Sequence, residues 1–301
     1  MAEKFTLTPQ QVANLDPFGA RRARASEGLK DLLESTKQRQ PTNPEPSTDW
    51  QDLVKAEEET WSQILGSTTE ITLPVPREVT PEVKDRLEAE GFSLVFVPSL
   101  DLSPDELKNK DTEAYLKDLA KQYPNWKPFE DLSDDEENDP KVTRNLEQFF
   151  WDQVKEGNVD MPTLPGRWLA VETLEKPNWN DTYETTPFSE RLGFENRFSL
   201  SYDEVNEAID RTKNDFSTEV GLQEADVRFL DAMEWNLLAN RFGWGGSNSY
   251  EWTTTEYRGS GGSRRLVVGY SGHGGAARVR WGRPGGRYGH IGFRVAVVFE
   301  T

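Results

Sequence analysis

The spacing of apolar residues divides the chain at about residue 70. Before that point apolar positions are sparse and fall at helical intervals. Residues 19–36 place Leu29, Leu32 and Leu33 on one face of a predicted helix, and residues 49–65 align Trp50, Leu53, Val54, Trp61 and Ile64. Thr48 and Gln51 have the spacing of a capping box for the second helix. Its apolar stripe is expected to pack on the main domain or on another subunit. Between the two, residues 38–48 are rich in Pro, Thr, Asn and Ser and read as a linker.

Beyond residue 70 the apolar positions become denser. Residues 71–75 read as a strand. Thr80-Pro81-Glu82 opens a helix with proline at its first position, and Gly91 suits its stop. FSLVFV at 92–97 follows as a buried strand, then a helix over 103–123. The acidic run 134–139 (DDEEND) lacks the alternating ligands and the glycine of an EF-hand and reads as a solvated loop. Residues 168–173 form a short strand. Ser201 and Glu204 make a capping box for a helix to about Lys213, with Val205, Ala208 and Ile209 facing inward. A second helix is predicted over 227–241, stopped by Gly243. Short strands are predicted at 250–255, 265–268, 277–281 and 292–299, the last the clearest. Helices followed by strands and long loops predict an α+β fold.

Composition removes several kinds of chemistry. The chain has no cysteine and only two histidines, His273 and His290, so Cys-ligated and multi-histidine metal sites are excluded. No signal-peptide pattern is present, and no apolar run approaches about 18 residues. The expectation is a soluble protein without membrane insertion, cytoplasmic by default, with display on a surface or particle left open. The net charge of −18 is unevenly spread. Residues 257–299 contain eight arginines and no Asp, Glu or Lys, an asymmetry that suits an anionic partner. The tryptophans Trp235, Trp244, Trp252 and Trp281 read as core anchors.

Residues 269–290, GYSGHGGAARVRWGRPGGRYGH, hold eight glycines, four arginines and both histidines. Three readings fit this composition: a long loop with glycine serving turns, a Gly/Arg tract binding nucleic acid, or a paratope-like surface in which Tyr gives contact area and Ser and Gly adapt.

The flanking segments carry a resemblance. VRFLDAMEWNLLANR (227–241), YEWT (250–253) with Glu256 and Tyr257, SRRLVVG (263–269) and IGFRV (291–295) occur in the order seen in C-type lectin folds of the formylglycine-generating-enzyme type. The resemblance fades before Trp168. It implies two helices packed on small antiparallel sheets. The oxidase members of that superfamily need paired cysteines, and the iron-dependent members need three histidines; this chain has neither set. The remaining branch resembles the variable proteins of diversity-generating retroelements, in which a reverse transcriptase rewrites adenines of a C-terminal repeat. If AAC or AAT codons are rewritten, only NNC or NNT codons result, which exclude Lys, Glu, Gln, Met and Trp. Within 269–290 only Trp281 breaks that rule, which makes it a fixed position.

The resemblance implies a partly helical, acidic N-terminal segment (1–69) and a lectin-fold domain (70–301) with its variable region at about 258–292. The expected function is non-catalytic binding, with no cofactor and no metal. The expected ligand is a macromolecule, a protein or surface glycan, contacted by Tyr270, Ser271, His273, Arg278, Arg280, Arg283, Arg287, Tyr288 and His290. Gly272, Gly274, Gly285 and Gly286 contribute shape. Tyr and Arg are expected to dominate affinity. Arg294 reads as structural, an ion-pairing or backbone-bonding residue. The alternative is a nucleic-acid-binding module using the arginines of 258–294.

Overall fold

The computed structural model describes residues 50–66, 73–74, 79–133, 142–223, 225–244, 247–259, 261–269 and 277–299. All belong to one compact unit, Asp49–Thr301. The helix expected at 19–36, the linker 38–48 and the acidic loop 134–139 lie outside the described residues. So does the strand expected at 71–75, apart from Leu73 and Pro74, which are not in a strand.

Helix α1 (Trp50–Leu65) buries Trp61 and Leu65 and lays Trp50, Leu53 and Val54 on the core. Its buried Glu57 accepts from the Phe96 N–H at 3.3 Å and pairs with Arg241 at 2.5 Å. The apolar stripe therefore packs on its own unit, which begins ahead of the boundary drawn at residue 70. Helix α2 (Pro81–Ala89) starts as expected, with the Thr80 hydroxyl accepting from the Val83 N–H and proline in the first turn. The chain then turns through Gly91 (φ +90°) into β1 (Phe92–Val97).

The helix expected over 103–123 is two, α3 (Pro104–Asn109) and α4 (Thr112–Gln122). Lys110 is extended, and Asp111 accepts from the Glu113 N–H at 3.1 Å. This local cap competes with propagation of the first helix. Helix α5 (Gln148–Lys155), strand β2 (Arg167–Glu172) and helix α6 (Pro187–Arg191) follow. The capping box of Ser201 and Glu204 opens α7 (Tyr202–Val220), which runs past Lys213 to Gly221 (φ +87°).

The helix expected over 227–241 begins later than its pattern implies. Asp226–Phe229 is strand β3, with Val227 and Phe229 buried at strand spacing. Asp231 then accepts from the Met233 and Glu234 N–H groups, both at 2.8 Å, and caps α8 (Ala232–Phe242). Strands β4 (Tyr250–Tyr257), β5 (Arg264–Val268), β6 (Val279–Gly282), β7 (Ile291–Gly292) and β8 (Val295–Val298) complete the unit.

The architecture is mixed α+β with two four-stranded sheets. One has the order β1-β2-β8-β3 and is antiparallel throughout. The other has the order β6-β5-β4-β7, with β4 and β7 parallel. The strand expected at 292–299 is interrupted at Phe293-Arg294, the passage from one sheet to the other. There Arg294 turns inward to a buried carboxylate. Among the described residues no helix is long and apolar enough to cross a membrane.

Candidate functional site

The surface in question rests on a buried polar cluster. Glu251 on β4 and Arg294 are both fully buried and meet through two hydrogen bonds of 3.1 Å. The Glu251 carboxylate also accepts from the Tyr183 hydroxyl and from Trp235 Nε1 at 2.5 Å. Burial alone raises the Glu251 pKa, but Arg294 and Lys176 outweigh it and hold the group below its ordinary value. Arg294 Nη1 donates to the Glu172 carbonyl, and its guanidinium lies 3.7 Å from the Trp244 ring centroid. The expectation that Arg294 is structural therefore holds. A second buried pair, Arg197–Glu172 at 2.7 Å, adjoins the first, and Glu172 accepts from the Val295 N–H at 3.0 Å. Both sheets are pinned by one charge-balanced network.

Beside it, residues 278–290 are mostly exposed or half-buried, with Val279 and Gly282 reaching the interior. Val279, Gly282 and Ile291 are buried, while Arg280, Arg283, Gly285, Arg287 and His290 are exposed. Arg278, Gly286 and Tyr288 are half-buried. The turn closes through Gly286 N–H to the Arg283 carbonyl (2.9 Å), and the Asp203 N–H at the start of α7 donates to the Pro284 carbonyl (3.2 Å). Tyr288 packs on Trp252 and beside His290, with ring centroids 5.9 and 6.3 Å away. Partial burial lowers the His290 pKa. Tyr270, Ser271, Gly272, His273 and Gly274 lie outside the described residues.

The arginines differ from their appearance as an open basic patch. Five of the eight pair with carboxylates: Arg258 with Asp160, Arg265 with Glu256, Arg280 with Glu147, Arg287 with Glu204 and Arg294 with Glu251. Arg287 and the Ser201 N–H hold the Glu204 pKa down to about 2. Arg278 lies over the Phe129 ring and Arg264 over Trp281. Arg283 has no side-chain partner among the described residues.

The glycines also separate. A Cβ on Gly285 meets nothing closer than Asp203 Oδ2 at 3.5 Å, whereas one on Gly286 collides with the Tyr288 side chain at 2.7 Å. One on Gly282 lands 2.5 Å from the Trp252 ring.

Trp235, Trp244 and Trp252 are core residues as expected, but Trp281 is 43% exposed. It lies on β6, an edge strand of its sheet. Its ring is parallel to Tyr257 within 4°, with the Arg264 guanidinium 3.5 Å from its centroid. Sequence reasoning also missed Trp179, 53% exposed in the loop PNWND, although an aromatic amid turn-forming residues is a readable sign of exposure. Among the described residues no group of three His, Cys, Asp or Glu side chains is placed to hold a metal ion. No family model, curated protein or solved structure matches this chain.

Proposed function

We propose that the chain is a non-catalytic binding protein, with a C-type lectin fold of the formylglycine-generating-enzyme type presenting a retroelement-diversified surface. The observation that carries this reading is the residue-by-residue division of 278–290. The described side chains assigned to contact point outward or lie half-covered, while Val279 and Gly282 among them are buried. Exposed ion pairs such as Arg287–Glu204 contribute little to stability, so these positions tolerate replacement while the buried Glu251–Arg294 pair keeps the scaffold. Loops held by a rigid frame are where binding surfaces usually reside. The ligand is a protein or surface glycan. A nucleic acid fits less well, because most of the arginines are already neutralised by an acidic body.

The gene itself supplies the test. A downstream near-copy of the codons for 269–290, differing only at adenines and at codons for outward-facing residues such as Arg283 and Arg287, supports the reading. Absence of such a copy, with Gly and Arg codons ending freely in A or G, refutes retroelement diversification.

A further inference from the structure

Lys176 lies in the loop between β2 and α6 and is 3% exposed. Its Nζ donates to the Ser249 carbonyl at 2.7 Å and the Gly269 carbonyl at 2.6 Å, and it sits 5.2 Å from the Trp235 ring centroid. Among the described residues no carboxylate pairs with it directly. Glu251 of β4 and Arg294 face it, with Tyr183 bridging those two. The neighbouring charges Glu172, Glu251, Arg197 and Arg294 already balance as two pairs. The ammonium is thus a surplus buried charge, and desolvation pulls its pKa down to about 7.

The groups it joins are the edges of three segments. Ser249 precedes β4 and its hydroxyl donates to the Pro177 carbonyl at 2.7 Å. The Asn248 N–H donates to Asn178 Oδ1 (3.3 Å), and the Trp179 N–H donates to Asn248 Oδ1 (3.0 Å). Gly269 follows β5, and its N–H donates to the Arg278 carbonyl at 3.0 Å. Gly269 has φ +109°, and a Cβ there meets the Trp235 ring at 2.4 Å, so only glycine lets the carbonyl reach Lys176.

We propose that Lys176 is a positioning residue, a proton-sensitive clasp that holds the 176–179 loop, residues 247–249 and Gly269 beyond β5 together and loosens when its amine is protonated. An ammonium regains strong hydration when the clasp opens, whereas a neutral amine regains less. Between the buried value near 7 and the ordinary value of 10.5, each pH unit therefore makes opening up to about tenfold rarer. Below about pH 7 both states carry the proton and opening no longer changes. That the held surface, including exposed Trp179, contacts a ligand rests on the function proposed above; the clasp does not.

The test is amide hydrogen exchange by NMR on the full chain between about pH 6 and 9, corrected for intrinsic rates, at Trp179, Asn248 and Gly269. Protection is expected to be flat below about pH 7 and to rise above it, up to about tenfold per unit, in the wild type. In Lys176→Met it is expected to be independent of pH. Flat wild-type protection, or the same rise in Lys176→Met, overturns the clasp. If that variant fails to fold, a carbon-13 titration of the lysine Cε signals in the wild type decides. One lysine titrating near 7 supports the clasp; all of them titrating near 10.5 overturn it. Neither readout needs a ligand, so a failed clasp and a failed binding function remain distinguishable.

Discussion

Replacing Glu251 with Gln preserves shape and removes one charge from the network that joins the two sheets. The carboxylate accepts from four donors: the Tyr183 hydroxyl, Trp235 Nε1, and Nε and Nη2 of Arg294. A glutamine offers one acceptor oxygen, so donors facing its NH2 group lose their partner, at about 1–3 kcal/mol for each buried group left unsatisfied. The Arg294 charge is also left uncompensated, and breaking a buried pair from one side costs about 3–5 kcal/mol in total. For a unit of this size that corresponds to a fall in Tm of about 6–20 °C. Urea and thermal unfolding at neutral pH measure it, with the double variant Glu251→Met/Arg294→Met as a comparison. The double variant is expected to be more stable than Glu251→Gln, because Arg294 is no longer left as an uncompensated buried charge. The folded-state pKa of Glu251 lies below its ordinary 4.5, so the pair's contribution is present above about pH 4.5 and is lost as pH falls through the lower, folded value. The gap between wild type and Glu251→Gln should therefore narrow in acid. A Glu251→Gln variant within about 1 kcal/mol of wild type refutes the idea that this charge pair holds the scaffold.

The outward-facing positions should behave oppositely. Arg283→Ser, Arg287→Ser and His290→Asn are each expected to change unfolding free energy by less than about 0.5 kcal/mol in urea titrations; a loss above about 1.5 kcal/mol assigns that side chain to the scaffold instead. Gly282→Ala should cost about 1–3 kcal/mol by overpacking the Trp252 ring, while Gly285→Ala should be close to neutral; equal costs contradict the division between buried and displayed glycines. For single-stranded DNA, fluorescence anisotropy between about 50 and 200 mM salt should show weak binding with a shallow slope, about three phosphate contacts or fewer; a slope corresponding to six or more restores the nucleic-acid alternative.

What was legible in the chain was local. Thr80 with Pro81, Ser201 with Glu204, and Gly243 mark helix ends because caps use residues within three or four positions of one another. Asp111 uses the same chemistry, but it lies in a stretch whose apolar spacing continues across it, so the break between α3 and α4 was hidden. The segment 227–229 opens the stretch expected as a helix, but its strand character is not set locally. Pairing with β8, far away in sequence, decides it. Trp281 was misread for a related reason: a tryptophan two residues from a buried valine looks like core until β6 is seen to be the edge of its sheet. Lys176 left no sign at all, since a lysine in a Pro/Asn-rich loop is ordinarily solvated. Its burial depends on Trp235, Ser249 and Gly269 arriving from three other segments.

The same contrast explains how one stretch can display variation and still fold. In 278–282 the buried positions, Val279 and Gly282, border ones that are exposed, Arg280 and Trp281. The core members have tight neighbours, such as the Trp252 ring against Gly282. Arg287 pairs with a partly exposed Glu204, where an ion pair is worth little, and Arg280 keeps its own guanidinium half exposed while it reaches Glu147. Diversity is therefore tolerable at those positions for a thermodynamic reason independent of any ligand. The same reasoning limits it, because the backbone carbonyl of Gly269 and the side chain of Arg294 are committed to buried partners on other elements. A library that spared Gly269, Val279, Gly282 and Arg294 should retain cooperative unfolding. One that included them should lose it in most members, whatever its binding properties.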